Sequence, residues 1–377
     1  MKDRSLAINR NPIMGEVTPI MGYVPDILWK RFSLTKEELA NSRILESSVY
    51  LTRKCNLKCQ YCKIIKTDLP EELTTEKWLE VFDILALLGT RFINIAGGEP
   101  TIVPGLIKMI KHLNKYKHIE YSIVSNSVFN EKRLDDMVQA GLRSYVASID
   151  VIGSTDQTLH DLKKSSAGMG MLEKLKRKGV PYLCANIVIS GTNINVVMDV
   201  VRHLLDNDIW VNICPVIWGK GDNWETIETA DENYRLRPEH KARLEMIAQE
   251  LIDMKRAGRP IVPTETYLKG IPDFGIGLEW KCYSSEDPSS PPRLIIDADG
   301  RLMTCINMRG EVSKRFSIFD LLDEKKYRGF IELWWQDVKT CQGCYWSTMV
   351  MAKERQTMLE EIKKGLAMDK GMDQTNP

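Results

Sequence analysis

The sequence predicts an α/β protein, a partial (β/α)6 TIM barrel followed by a small domain made of a β-hairpin and a helix. Between residues 45 and 259, short apolar runs alternate six times with amphipathic segments. Units of about thirty residues with this alternation are typical of a parallel sheet built from βαβ units. Six units are fewer than the eight of a closed barrel, so the barrel is predicted to stay open. Cysteines are clustered near both ends of the chain. The second cluster lies after residue 259, which predicts a separate cysteine-bearing unit there.

Each predicted element rests on its own local pattern. The run 182–189 is apolar almost throughout, as expected for a strand covered on both faces. The first helix can be capped by Thr74 or Thr75 and places Trp78 and Phe82 on one face. The predicted strands are 47–52, 92–96, 121–125, 144–149, 182–189 and 210–216. The predicted helices are 75–88, 105–114, 131–140, 168–177, 195–205 and 239–255.

Four segments follow from these patterns. Prolines interrupt any periodicity before residue 45, which indicates an irregular arm. After Arg259 the alternation stops, and 293–296 and 301–304 flank the turn 297–300, as in a β-hairpin. The predicted division is an N-terminal arm at 1–44, the barrel at 45–259, the hairpin-and-helix domain at 260–352, and a charged tail at 353–377.

Composition excludes several classes of protein. The 377 residues are 43% hydrophobic and 27% charged, which is ordinary for a globular chain. With 52 basic and 51 acidic residues, the chain lacks the basic excess expected of a nucleic-acid-binding protein. No run of about 18 apolar residues predicts a membrane span. The first residues lack the apolar core of a secretory signal, so a cytoplasmic location is expected.

The nine cysteines fall into three groups. In a reducing cytoplasm, clustered cysteines more often bind metal or carry out redox chemistry than form disulfides. Cys184 lies in an apolar strand and is expected to be buried and inert, whereas Cys214 is either a core residue or a border of the cavity. The two clusters are the triplet Cys55, Cys59 and Cys62, and the quartet Cys282, Cys305, Cys341 and Cys344.

The triplet follows the first predicted strand, in a loop at the end of a (β/α) barrel where active sites form. Three cysteines with no fourth nearby suit a [4Fe-4S] cluster that leaves one iron open to a ligand. The alternative is a structural zinc site, but zinc normally closes a shell of four ligands and no histidine lies close in sequence.

This cysteine pattern, with Tyr61 before the third cysteine, resembles the signature of the radical S-adenosylmethionine (radical SAM) superfamily. Residues 92–100 resemble the second motif of that family, and the resemblance covers about residues 45–260. It implies that the triplet binds a [4Fe-4S] cluster whose open iron chelates the amino and carboxylate groups of S-adenosylmethionine. It further implies that the SAM amino group is held by Gly97, Gly98, Glu99 and Pro100.

The same resemblance implies further SAM contacts at the ends of later strands. Ser125 and Asn126 end the third strand, and Ser148 and Asp150 end the fourth, where the ribose hydroxyls would bind. Each could instead cap the helix that follows. Lys164 stands where relatives often carry an arginine for the SAM carboxylate, and it would supply a point charge without the bidentate fork.

The quartet supplies ligands for a tetrahedral zinc or for a second [4Fe-4S] cluster. Its spacing resembles the SPASM or twitch extension of radical SAM enzymes, and the layout is similar to that of 2-deoxy-scyllo-inosamine dehydrogenases. No cysteine follows Cys344, so the resemblance implies the twitch form with one auxiliary cluster. Four protein ligands leave no vacancy, which favours electron transfer over substrate binding.

The resemblance implies an enzyme that reductively cleaves S-adenosylmethionine to a 5′-deoxyadenosyl radical. That radical would abstract hydrogen from a small polar substrate, and the auxiliary cluster would serve a two-electron oxidation. The implied partners are a small-molecule or peptide substrate and a one-electron donor such as flavodoxin or ferredoxin. Two alternatives stay open, a ribosomal peptide maturase and a zinc-stabilised binding module without enzymatic activity. The sequence predicts no specific acid or base residue.

Overall fold

The computed structural model describes residues 44–59, 62, 64, 71–151, 165–217, 232–277, 293–306, 308–341, 345, 347, 350 and 351, with the side chains of residues 165 and 166 left out. The predicted arm, apart from residue 44, and the predicted tail lie outside these residues. So do Lys164, Cys282 and Cys344.

The described strands form one eight-stranded sheet in the order β6-β5-β4-β3-β2-β1-β7-β8. Neighbouring strands pair in parallel from β6 through β7, and only β7 and β8 pair antiparallel. The strands are β1 Glu46–Tyr50, β2 Phe92–Ala96, β3 Glu120–Ser125, β4 Ser144–Ser148, β5 Tyr182–Ile189, β6 Trp210–Pro215, β7 Leu294–Ile296 and β8 Leu302–Met303. The predicted partial barrel of six βα units is therefore confirmed.

Helices cover the outer face of this sheet. The Thr74 side chain accepts a hydrogen bond from Lys77 N and caps the first helix, which buries Trp78 and Phe82 completely. The helices are α1 Thr75–Leu87, α2 Leu106–Leu113, α3 Glu131–Gln139, α4 Ser165–Arg177, α5 Val197–Asp206, α6 Lys241–Arg256, α7 Glu265–Gly275, α8 Val312–Arg315 and α9 Glu324–Lys339. The six helices predicted for the barrel are present, with ends that differ by a few residues.

Helix α7 was not predicted, because glycine and proline lie inside it and both disfavour helix. It begins at a capping threonine, Thr264, and packs against α6. A Cβ atom at Gly270 would lie 1.9 Å from the Tyr345 hydroxyl, so this glycine lets the tyrosine lie against the helix. The rings of Tyr267 and Tyr345 stack with centroids 4.7 Å apart, which secures the C-terminal segment to the barrel.

The segment after residue 259 completes both edges of the barrel sheet. Ile261 forms a parallel bridge with Val211 beside β6, and β7 pairs with β1 at the opposite edge. The predicted hairpin is present, but it extends the barrel sheet instead of forming a sheet of its own. Covered edges protect a sheet from pairing with other chains, so this segment stabilises the barrel as well as carrying cysteines.

Among the described helices, none is both long enough and apolar enough to span a bilayer.

Candidate active site

A cavity of about 200 Å³ opens at the carboxyl ends of the barrel strands. Most of the predicted site residues that the structure describes line it. They are Cys55, Cys59, Cys62, Gly97, Gly98, Glu99, Ser125, Asn126, Ser148 and Asp150. Pro100 is buried and opens a 3-10 turn behind the wall, so the structure does not bring it to the cavity surface.

The cysteine loop presents its first thiol to nearby N–H groups. Leu57 N lies 3.4 Å from Cys55 Sγ, and Asn126 Nδ2 lies 3.7 Å from the same sulfur. Farther along, Cys62 N donates to the Cys59 carbonyl at 3.0 Å and forms a turn. N–H donors directed at a sulfur favour its thiolate form, which is the form that binds metal.

The two glycines of the second motif lie against the cysteine loop. A Cβ atom at Gly97 would lie 2.6 Å from Thr52 O, and one at Gly98 would lie 2.1 Å from Lys54 O. Gly97 also has a φ of +145°, which disfavours other residues. The backbone of these glycines therefore lies against the segment that precedes Cys55. The sequence had predicted instead that this backbone lies close to a ligand.

Glu99 joins this turn to the end of β3. Its carboxylate is buried and accepts hydrogen bonds from Thr101 N, Thr101 Oγ1, Ser125 Oγ and Asn126 N, over 2.6–3.0 Å. Ser125 Oγ also accepts from Ser127 N at 2.9 Å. Much of the bonding capacity of Glu99 and Ser125 is thus used to hold the loops in place.

The capping alternative for the end of β3 is wrong at helix α3. The N-cap of α3 is Asn130, whose side chain accepts from Arg133 N at 2.8 Å. Asn126 instead donates to Asn56 Oδ1 at 2.8 Å and accepts from Val128 N at 2.9 Å. It therefore connects β3 to the cysteine loop.

Asp150 is buried at the end of β4 and is held by two neighbouring segments. Its Oδ1 accepts from Val188 N at 3.0 Å, and its backbone carbonyl accepts from Asn193 Nδ2 at 2.9 Å. Ser148, two residues earlier, also lines the cavity. These contacts fix the orientation of the Asp150 carboxylate at the cavity wall.

A buried ion pair that the sequence did not reveal connects the cysteine loop to the C-terminal hairpin. Arg53 Nε lies 2.6 Å from Asp297 Oδ1, and both side chains are at most 1% exposed. Arg309 continues the network, with 2.7 Å to Asp297 Oδ2 and 2.8 Å to Asp299 Oδ2. Arg53 and Asp297 are 244 positions apart, and no pattern in a single sequence predicts that two such distant residues form a pair.

Two members of the cysteine quartet lie within the described residues. Cys305 is buried just after β8, and Cys341 follows the end of α9. The two elements are tied together by Thr304, whose hydroxyl donates to Asp337 Oδ2 at 2.7 Å and whose carbonyl accepts from Trp334 Nε1 at 2.9 Å. Neither cysteine lines the cavity, but Ile306 and Ser347 of the same segment do.

Three asparagines inside the barrel were not predicted as site residues. Asn94, Asn186 and Asn212 line the cavity from β2, β5 and β6. The signal was present in the sequence, because each is a lone amide at an inward position of an otherwise largely apolar strand.

The two single cysteines have different surroundings. Cys184 is buried, as predicted, and burial raises the pKa of its thiol to about 12. Cys214 is buried at 8% exposure and also lines the cavity.

The chain resembles known proteins in sequence, at low identity. The model of the radical SAM superfamily matches residues 49–234. GTP 3′,8-cyclase of Clostridium perfringens is 23% identical over 193 residues, which are 46% of this chain and 56% of that protein. Molybdenum cofactor biosynthesis protein 1 of Mus musculus is 26% identical over 277 residues, which are 71% of this chain and 42% of that protein. The chain thus spans about half the length of these curated relatives.

Solved structures share the fold at low sequence identity. The structure of Streptococcus suis SuiB bound to S-adenosylmethionine aligns with a TM-score of 0.56 and 13% identity, covering 84% of this chain and 75% of that one. The structure of anSMEcpe with bound AdoMet and the Cp18Cys peptide aligns with a TM-score of 0.51 and 15% identity, covering 85% and 99%. These likenesses support the partial barrel as the fold.

Proposed function

We propose that this chain, whose residues 49–234 match the model of the radical SAM superfamily, is an enzyme of that superfamily that cleaves S-adenosylmethionine reductively and removes a hydrogen atom from a small polar substrate. A two-electron oxidation through an auxiliary [4Fe-4S] cluster completes the proposed reaction. The observation that carries this proposal is the single cavity that the cysteine triplet, the Gly97–Gly98 turn and the ends of the barrel strands share.

The triplet fits a [4Fe-4S] cluster in the chemistry of its donors. Two N–H groups point at Cys55 Sγ, and the three cysteines border one cavity. Within the described residues, no three His, Cys, Asp or Glu side chains are grouped closely enough to hold one metal ion. A cubane has a different requirement, because each thiolate binds a different iron.

When bound, the cluster and S-adenosylmethionine supply a 5′-deoxyadenosyl radical, which can take hydrogen from an unactivated carbon where no side-chain acid or base can. The chain's own residues have to bind, orient and shield the reactants. We assign the SAM amino group to the backbone of Gly97, Gly98 and Glu99, which line the cavity, with Ser125 and Asn126 beside it. We assign the ribose hydroxyls to Ser148 and Asp150, and the carboxylate to Lys164.

The cavity wall contains the apolar surface needed to exclude water. Leu57, Ile64, Val124 and Ile306 line it alongside Tyr50. Burial holds the pKa of the Tyr50 hydroxyl well above its usual range, so the group stays neutral. A dry cavity keeps the target C–H in place and prevents side reactions, and misplacement by about 1 Å can lower the rate a hundredfold.

The position of Ile306 supports an oxidation step beside the C-terminal segment. Ile306 lines the cavity directly after Cys305 in sequence, so a group held by the quartet would lie near the substrate. For an alcohol substrate, loss of the hydrogen atom, then of one electron to that group and of the hydroxyl proton, yields a ketone. A one-electron donor such as flavodoxin or ferredoxin would supply the electron that cleaves SAM.

The test is deuterium transfer from candidate substrates. The reconstituted full chain is incubated anaerobically with dithionite, S-adenosylmethionine and deuterated cyclitols or sugars, and 5′-deoxyadenosine is analysed by mass spectrometry. We expect deuterium in the 5′-deoxyadenosine of the natural substrate class. Cys59→Ser should abolish 5′-deoxyadenosine formation, whereas Cys184→Ser, which changes a buried thiol outside the cavity, should leave it unchanged. A wild-type protein with intact clusters that forms no 5′-deoxyadenosine would refute the proposal.

GTP is the second candidate substrate, because curated relatives named GTP 3′,8-cyclase match 46% and 52% of this chain. The same assay with GTP tests it. Formation of a cyclised nucleotide, with 5′-deoxyadenosine in equal amount, would favour GTP over a cyclitol or sugar.

A further inference from the structure

Two amides meet on the inner surface of the barrel. Asn186 on β5 and Asn212 on β6 are register partners in the parallel ladder. Asn212 Nδ2 donates to Asn186 Oδ1 at 2.8 Å, and both residues line the cavity. Residues with no charge and four hydrogen-bonding sites each are costly to place inside a barrel unless those sites are used.

The pair leaves bonding capacity that no described residue uses. Asn212 Oδ1 is buried and has no hydrogen-bond partner among the described residues. The Asn186 amide nitrogen makes no hydrogen bond that the structure records within the same part of the chain. The oxygen and nitrogen of an asparagine amide can also be assigned the other way round. If both amides were flipped, Asn186 Nδ2 would donate to Asn212 Oδ1, and the groups left without a partner would be Asn186 Oδ1 and Asn212 Nδ2. In either orientation the pair has one carbonyl oxygen and one amide N–H that form no hydrogen bond with a described residue.

The charged residues of the described cavity wall are all acidic, which bears on the charge of the ligand that can bind there. Among the described lining residues, Glu99 and Asp150 are the charged ones, and neither lysine nor arginine is present. Phosphate esters are bound by cations or by clusters of N–H groups, and a carboxylate-bearing wall repels them. Lys164, assigned above to the SAM carboxylate, lies outside the described residues; the wall that is described offers carboxylates and no cation, which favours an uncharged substrate over a phosphorylated one.

We propose that Asn186 and Asn212 recognise two neighbouring uncharged groups of the substrate, one that donates to a carbonyl oxygen and one that accepts from an amide N–H. This inference rests on the proposed function and names the substrate class of the same cavity. Adjacent hydroxyls of a polyol have this chemistry, and so does the backbone amide of a peptide. Asn94 lines the same cavity from β2 and adds a third amide to it.

The experiment measures binding of defined probes to the reconstituted full chain with S-adenosylmethionine, under anaerobic conditions, by saturation-transfer NMR. The probes are myo-inositol as a neutral polyol, N-acetylglycinamide as a neutral amide, and glucose 6-phosphate as an anion. We expect a neutral probe to bind more tightly than glucose 6-phosphate. Asn186→Ala and Asn212→Ala should each raise its Kd about tenfold, the effect of one or two lost hydrogen bonds.

Two further variants separate recognition from folding. Asn212→Asp keeps the side-chain volume and an acceptor oxygen, so it should weaken the neutral probe less than alanine does. Asn207→Ala removes an amide that bonds to His203 O on an outer helix, and it should leave binding unchanged. Circular dichroism and iron content check that each variant is folded and loaded.

Each outcome has a defined meaning. Preference for myo-inositol assigns the pair to a polyol, and preference for the amide assigns it to a peptide. Tighter binding of glucose 6-phosphate, binding of neither neutral probe, or neutral binding that both alanine variants leave unchanged would overturn the inference. Probe binding needs no radical chemistry, so a wild-type protein that binds myo-inositol but forms no 5′-deoxyadenosine would refute the proposed function and leave this inference standing.

Discussion

The backbone N–H groups of Gly98 and Glu99 hold the cysteine loop in place. The Gly98 amide donates to Thr52 O at 2.7 Å, and Glu99 N donates to Lys54 O at 2.9 Å. These bonds continue the contact between β1 and β2 into the loops beyond them. The sequence predicted the glycines as site residues, but it could not reveal that their close neighbour is the backbone before Cys55, because that contact exists only after the two strands have paired.

Gly98→Ala is expected to disturb the cysteine loop, because the new methyl group would lie 2.1 Å from Lys54 O. Overpacking of this kind typically costs about 1–3 kcal/mol. We expect a lower midpoint in denaturant unfolding and loss of iron from the triplet site, measured per chain after anaerobic reconstitution.

Gly170→Ala is the matched control. A Cβ atom at Gly170, inside α4, would have no described atom within 4 Å, and alanine in a helix interior stabilises by roughly 0.5–1 kcal/mol. The control should therefore unfold at the same or a higher denaturant concentration with full iron content. A Gly98→Ala protein that keeps its iron and stability would show that the loop can move away at little cost.

The hydrophobic periodicity predicted the strands and helices of the barrel, but it did not predict which distant residues contact each other. The apolar runs and capping residues determined the strands and helices of the six βα units, because these signals are local. Helix α7 was not predicted since Gly270 and Pro272 lie within it, yet both are accommodated by packing. The inward asparagines and the Arg53–Asp297 pair depend on which faces and loops meet, and a single sequence does not state this.

Asp297→Asn tests how the hairpin element supports the cysteine loop. The Asp297 carboxylate accepts from Arg53 and Arg309 while fully buried, so neutralising it leaves two guanidinium groups with less compensation. Breaking a buried pair in this way costs about 3–5 kcal/mol. We expect a matching fall in the free energy of unfolding, measured with denaturant, and slower incorporation of iron at the triplet.

An exposed ion pair provides the comparison for that variant. Glu265 pairs with Arg256 at 2.6 Å, but both side chains are at least a third exposed. Glu265→Gln should lower the free energy of unfolding much less than Asp297→Asn does, because water screens an exposed ion pair. Equal effects of the two substitutions would show that the Arg53–Asp297 pair contributes no more than a surface pair.

In the whole molecule, the C-terminal segment belongs to the barrel and also carries the second group of cysteines. Its first residues lie beside β6, its hairpin lies beside β1, and Ile306 and Ser347 border the cavity. The sequence predicted a hairpin-and-helix domain at 260–352 from the change in pattern there, and this division stays a prediction. Pattern alone could not show that the segment completes the sheet edges, since edge pairing leaves no local signal.

Iron content tests whether the two groups of cysteines hold separate clusters in one folded molecule. The reconstituted wild type is expected to bind about eight iron atoms per chain, four for each [4Fe-4S] cluster. Cys305→Ser and Cys59→Ser should each retain about four, because each removes a ligand from a different site, while Cys184→Ser should retain all eight. The Tyr267–Tyr345 stack and the β1–β7 pairing do not involve these thiols, so far-UV circular dichroism should be unchanged. A wild type that binds about four iron atoms and one zinc would instead make the quartet a structural zinc site, and the oxidation step would then need another electron acceptor.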